Sequence, residues 1–259
     1  MQPVFRALEL TALAAVKVAG ARLDFGGLDH IPAAGGAVVA INHTGYVDFL
    51  PAALAAYRRG RRMRFMIKAE MQQVRVVNFL IHHTGTIPVD RGDGSDAYRH
   101  AVTALRGGEV VGVYPEATIS RSFELKEFKS GAARMALEAQ VPIVPLIVWG
   151  AHRLWTKDHP RARLIRSGIP VTVLVGEPLA PTGDAAGLSA RLRAQMEPML
   201  AQVQQEYPHP AGQYWVPRRL GGGAPTPDEA NVLDQRELAD RMRKGAGGPG
   251  QPHPPNTEY

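Results

Sequence analysis

The chain has 259 residues, a hydrophobic share of 45% and a formal charge of +6 at pH 7, which allows one large domain with a sizeable core and falls short of two full ones. It contains no cysteine, so disulfides, thiolate catalysis and cysteine-based zinc sites are excluded. The basic balance suits an anionic partner. With no nucleic-acid recognition signature, it points to an anionic membrane surface or phosphorylated ligands.

In chain order, residues 1–22 come first. Val4, Leu8, Thr11, Ala15 and Val18 recur at helical spacing, with Phe5 and Ala12 adjoining. Arg6, Glu9 and Lys17 interrupt the apolar run, so it is neither a signal peptide nor a membrane span. An amphipathic helix lying on a membrane or packing on the core fits it. "ARLDFGGLDHIP" predicts a short strand and a turn at Gly26-Gly27. "GGAVVAINH" predicts a buried strand through the apolar run Ala37 to Ile41. "DFLPAALAAYRRG" predicts a helix that tolerates Pro51 in its first turn. The arginines of "YRRGRRMRF", residues 57–65, form either a solvated helix end or a patch for anionic lipid headgroups.

Further on, "MRFMIKAEM" predicts a strand, and "VVNFLIHHTGTIPVDR" a short helix, a turn and a strand. "SDAYRHAVTALRGG" predicts a helix capped by Ser95 or Asp96. "EVVGVYPEA" is a buried strand and "SGAARMALEAQ" a helix. "VPIVPLIVWG" is a strand whose two prolines predict an edge or bent position. "IPVTVLVGEPL" is a strand and "LSARLRAQMEPMLAQVQQEY" a helix. This alternation predicts a single α/β domain over residues 23–220, with a mostly parallel or mixed central sheet flanked by helices. In such sheets, sites collect where strands end and helices begin. Residues 221–259, rich in Gly and Pro at both ends, predict a flexible tail dispensable for chemistry, with a short charged helix over residues 228–244.

Four stretches place polar residues at strand exits or bend a strand. In "INHTGYVDF", residues 41–49, a tight turn brings the Asp48 carboxylate back onto one nitrogen of His43, leaving the other free to take a proton; Asp48 is equally a good helix cap. "GTIPVDR", residues 85–91, delivers Arg91, which grips a phosphate through two parallel hydrogen bonds or pairs with Asp90 or Asp93. "VYPEATISRS", residues 113–122, puts Glu116 at a strand exit, followed by the donors Thr118, Ser120, Arg121 and Ser122, which suit a phosphate or simply form a polar turn. The fourth stretch is "VPIVPLIVWG".

Together these stretches resemble the blocks of the glycerolipid acyltransferase family that includes the 1-acylglycerol-3-phosphate acyltransferases: N-H-x-x-x-x-D, G-x-I-x-x-x-R, P-E-G-T-R-S and V-P-I-V-P, in that order. Here they read "NHTGYVD", "GTIPVDR", "PEATIS" and "VPIVPL", within a resemblance that covers about residues 23–180. The resemblance implies an α/β fold, a membrane-surface role for the N-terminal helix and a peripheral place on the cytoplasmic face of the cell membrane. It implies transfer of a fatty acyl chain from acyl-CoA or acyl carrier protein to a lysolipid hydroxyl in phospholipid biosynthesis, without metal or cofactor. His43 becomes the general base and Asp48 its orienting partner. Lys68 falls near the reacting carbonyl, Arg91 on the acceptor phosphate and Glu116 on the glycerol, with Thr118 and Arg121 beside them. Lys129 and Gly131 also match.

The third block departs from the pattern. Ala117 stands for glycine and Ile119 for an arginine, with Arg121 two residues later, which opens the acceptor to another lysophospholipid or a glycolipid. Two other classes stand beside acyl transfer. One is a hydrolase with a metal on His43, Asp48, His82, His83 and Glu116, although adjacent histidines point to different sides. The other is a lipid-binding protein without catalysis.

Overall fold

Seven strands build one sheet: β1 (Arg22–Gly26), β2 (Ala37–Ile41), β3 (Met63–Lys68), β4 (Ile87–Val89), β5 (Val110–Val113), β6 (Ile143–Trp149) and β7 (Pro170–Val175). Their spatial order is β1-β7-β6-β2-β5-β3-β4. Pairing is parallel throughout except between β6 and β7, so the sheet is mixed, as the alternation of elements predicts. The computed structural model describes residues 11, 14, 20–69, 84–90, 94–160 and 167–246. Most of the predicted N-terminal helix, His82, His83 and Arg91 lie outside the described residues.

Among the described residues five helices accompany the strands: α1 (Phe49–Arg58), α2 (Ser95–Arg106), α3 (Gly131–Ala139), α4 (Ala185–Glu206) and α5 (Pro227–Ala246). Every residue of β2 is fully buried, and its alternation divides the core in two. Val38 and Ala40 face α2, α3 and α4 through Leu105, Ala136 and Met196. Val39 and Ile41 face α1 through Ala52, Ala55 and Ala56, an i, i+3, i+4 alanine stripe that lets the helix lie close to the sheet.

Three predictions need correction. β6 is an interior strand, paired with β2 and β7, not an edge strand. Pro145 is tolerated because its backbone faces the β7 side, where β7 leaves the ladder after Val175; the Pro145 carbonyl accepts from Gly176 N, and the next contact is the bridge from Ile143 to Leu179. No strand N–H is needed there, so the missing donor costs little. Helix α2 is capped by Gly94 and has no side-chain cap bond, so neither Ser95 nor Asp96 plays that part. Finally, residues 221–246 are not a free tail: Ala224 and Ala230 are buried, and α5 is docked by ion pairs.

β2 to β6 all run the same way, so their C-terminal ends emerge on one edge of the sheet. The basic cluster lies at the other edge. Arg61 donates to the carbonyls of Pro32 at 2.6 Å, Gly35 at 2.7 Å and Gly108 at 2.8 Å. Arg59 pairs with Asp29 at 2.9 Å and Arg58 lies over the Phe25 ring at 4.4 Å. These arginines staple the loops that feed β2 and β5. Charge-assisted bonds to carbonyls contribute roughly 1.5–3 kcal/mol each, less where the carbonyl can find water. Arg61→Ala should therefore lower the unfolding free energy by roughly 2–4 kcal/mol in urea titration; a loss within the error of the wild-type value would make the cluster a solvated helix end.

Candidate active site

The exit of β2 is bent by Asn42. Its amide side chain takes the place of the backbone in the ladder with β6: Nδ2 donates to Val148 O at 3.0 Å and Val148 N donates to Oδ1 at 2.7 Å. The main chain is thereby freed to turn at His43. Thr44 N and Gly45 N then both donate to Asp48 Oδ2 at 2.7 Å, and His43 Nδ1 faces the same oxygen at 3.4 Å. Asp48 precedes α1 but makes no side-chain cap bond to it. The carboxylate reaches back to the loop instead of forward to the helix. Gly45 is required by close approach: a Cβ there would sit 2.8 Å from His152 Cα and 2.8 Å from Trp155 O. Thr156 Oγ1 donates to Thr44 O at 2.7 Å and holds the loop from the far side.

His43 keeps 19% of its side chain exposed, whereas Asp48 is fully buried. The imidazole stacks on Tyr114 with ring centroids 4.0 Å apart. Its Nε2 has no hydrogen bond among the described residues. Tyr114 ends the β5 run, and its hydroxyl titrates well above its ordinary range because it is buried and faces Asp48.

Glu116 joins this loop to the next. Its Oε1 accepts from His43 N at 2.8 Å and its Oε2 from Lys126 N at 3.1 Å. Ser120 N returns a bond to His43 O at 2.8 Å. Burial pushes the Glu116 carboxyl up to about 8, outweighing these amide bonds and the nearby Lys126 charge. Both carboxyl oxygens are thus engaged by backbone, and Glu116 braces the site instead of offering a free glycerol-binding group.

The remaining predicted residues fall unevenly. Thr118 accepts from Lys157 Nζ at 3.3 Å. Ile119, at the position of the arginine in the resembled block, is buried. Arg121 is 9% exposed and fully paired with carboxylates, so the expected free phosphate donor is not what the structure presents. Lys68 ends β3 on the site's edge. β4 ends at Val89 on the same edge, two residues before Arg91. Among the described residues, no group of three or more His, Asp or Glu could hold a metal. Asn42, Tyr114 and Thr156 were not singled out from the sequence. A polar residue closing an apolar run was the available signal for Asn42, and the aromatic before Pro115 for Tyr114; Thr156 comes from a remote loop and had none.

A profile of the acyltransferase family matches residues 22–149. Over those residues the chain is similar to the acyltransferase family. The 1-acyl-sn-glycerol-3-phosphate acyltransferase of Bacillus subtilis is 27% identical over 152 residues, 58% of this chain and 70% of that protein. The enzyme of the same name from Borreliella burgdorferi is 24% identical over 161 residues, 61% of this chain and 62% of its own. The crystal structure of the 1-acyl-sn-glycerophosphate acyltransferase PlsC from Thermotoga maritima superimposes with a TM-score of 0.63 at 20% identity, covering 81% of this chain and 86% of that one, a likeness of fold. The His43–Asp48 exit loop, the Glu116 brace and strands β1 to β6 all fall inside the span matched by that profile.

Two outcomes follow from the loop geometry. In the unfolded chain the Glu116 carboxyl titrates at its ordinary 4.5, against about 8 in the fold. Between those values the folded state holds a proton that the unfolded state has lost, so stability falls as pH rises through the window. Glu116→Gln should flatten the dependence of the urea midpoint between about pH 5 and about pH 8; parallel wild-type and variant curves would show a carboxylate charged throughout. Ala117 sits at φ 60, where a Cβ is strained by about 1 kcal/mol or more. Ala117→Gly should raise stability by about 1 kcal/mol, and a loss would mean the methyl packs usefully.

Proposed function

We propose that the protein moves a fatty acyl chain from a thioester, acyl-CoA or acyl carrier protein, to a free hydroxyl of 1-acylglycerol-3-phosphate or a related lysolipid in phospholipid biosynthesis. One observation carries the reading: His43 has one ring nitrogen turned to a buried carboxylate and the other unpartnered, on a partly open ring. The proton then rests on Nδ1, which donates to Asp48, and Nε2 is the acceptor. A contact of 3.4 Å is long for such a bond, as is common before substrate tightens a site.

In the proposed step, Nε2 removes the acceptor hydroxyl proton while the oxygen attacks the thioester carbon. The tetrahedral oxyanion collapses, the carbon–sulfur bond breaks and the leaving thiolate takes the proton back from the imidazolium. The products are an ester and a free thiol. With no cysteine and no G-x-S-x-G elbow in the chain, direct attack is favoured over an acyl-enzyme. The amides of His43, Thr44, Gly45, Ser120 and Lys126 are already bonded to internal acceptors. Lys68, which the resemblance puts near the reacting carbonyl, is the proposed oxyanion donor. Arg91, two residues after Val89 in the sequence, is the proposed holder of the acceptor phosphate.

Among the described residues, no helix is long and apolar enough to cross a membrane. Tyr46 and Phe49, both more than 40% exposed, flank the exit loop and supply an apolar rim to the mouth of the site. A peripheral position on the cytoplasmic membrane face, with this rim toward the lipid, accords with that arrangement.

The test is mass spectrometry of products from acyl-CoA or acylated carrier protein and a panel of lysolipids. A positioned general base contributes roughly 10²–10⁴-fold, so His43→Ala should lose about that much turnover with an intact circular dichroism spectrum. Asp48→Asn should lose most of it as well. A folded His43→Ala protein of near-normal turnover rejects the mechanism, and no new ester from any pairing rejects the activity.

A further inference from the structure

The loop that carries Glu116 also carries two cations, and a third stands opposite. All three converge on acidic side chains of α5. Arg121 pairs with Asp234, with Glu237 at 2.9 Å and with Asp158 at 2.6 Å. Lys126 pairs with Asp234, and Lys157 with Glu237 at 2.7 Å and Asp234 at 3.7 Å. Arg121 and Lys157 keep only 8% and 12% of their side chains exposed. A guanidinium and two ammonium groups around one point bind a compact dianion well, the first through its fork and the others as point charges. Here two carboxylates three residues apart on one helix face fill that point. The Lys126 amide also donates to Glu116 Oε2, so the cluster adjoins the candidate active site.

The hold of α5 on the domain is electrostatic. Thr226 and Glu229 start the helix reciprocally, with Thr226 N donating to Glu229 Oε2 at 2.8 Å and Glu229 N to Thr226 Oγ1 at 3.3 Å. Arg218 adds an ion pair to Glu229 at 3.3 Å. Among its described residues only Ala230 is buried, while Val232, Leu233, Leu238 and Met242 are exposed. None of them belongs to either hydrophobic cluster. An element held by ion pairs over little apolar area opens locally at low cost and yields to a competing ion.

We propose that Arg121, Lys126 and Lys157 form a site for a phosphate group, and that Asp234 and Glu237 of α5 fill it from within as a displaceable competitor. A ligand bearing a phosphate reaches the cluster only by lifting α5. The phosphate belongs either to a lipid headgroup or to a free ion. The consequence for acceptor affinity rests on the acyl-transfer reading, with the freed cluster sharing the acceptor phosphate with Arg91, whereas the displacement itself does not.

Tryptic cleavage of the full chain within α5, which contains Arg236, Arg241 and Arg243, reads the displacement. Inorganic phosphate should speed this cleavage several-fold over sodium chloride of equal ionic strength. If vesicles containing phosphatidic acid do so and phosphatidylcholine vesicles and free phosphate do not, the source is the headgroup. Cleavage no faster with phosphate or with phosphatidic acid than in matched chloride overturns the site, leaving a helix that responds to screening alone. The doubly neutralised variant, Asp234→Asn with Glu237→Gln, should lose its α5 to trypsin without any anion. It should also show a several-fold lower KM for a phosphate-bearing acceptor at unchanged kcat. Fast cleavage of that variant with an unchanged KM overturns the competition. If no variant transfers an acyl group at all, the functional proposal fails and the cleavage experiment on the wild-type chain still decides the phosphate site.

Discussion

Burying the Asp48 carboxylate is the constraint on which the site depends. A carboxylate removed from water must be given hydrogen bonds or it destabilises the fold. The bonds come from a loop of five residues that folds back on itself, with two amides and the His43 ring directed at Oδ2. The second oxygen, Oδ1, is buried with no partner among the described residues. A carboxylate in a poorly solvated site favours any donor that it faces, and the ring nitrogen opposite Oδ2 is His43 Nδ1. The orientation of the imidazole is a by-product of satisfying its neighbour.

The loop cannot adopt this shape alone. Asn42 ends the strand by placing a side chain in the ladder, Gly45 leaves room for the segment of His152 and Trp155, and Glu116 ties the His43 amide to the following loop. These groups come from the ends of β2, β5 and β6, which the shared direction of the strands gathers on one edge. The arginines at the opposite edge secure the entries of β2 and β5. One edge of the sheet is therefore given to stability and the other to chemistry, an assignment that charge alone had left open for the "YRRGRRMRF" cluster.

Much of the fold was legible because its signals are local. The apolar run of β2, the alanine stripe of α1 and the Gly- and Pro-bounded strands each follow from side-chain periodicity. The position of β6 did not, because Pro145 is harmless only if the neighbouring strand diverges at that point, a fact about β7. The docking of α5 did not either: its composition is that of a solvated helix, and two of the cations that hold it, Arg121 and Lys126, lie more than a hundred residues away in sequence.

The sequence by itself determined the α/β class and the order of elements, and it offered the pairing of His43 with Asp48 beside a plain helix cap. Only the tertiary structure decided what Glu116 and Arg121 do. Each was read as reaching outward to a ligand, and each is turned inward, Glu116 to backbone amides and Arg121 to the carboxylates of α5. The reason is physical. A charged side chain takes whatever partners the fold brings within a few ångströms, and those partners come from segments that no local pattern connects.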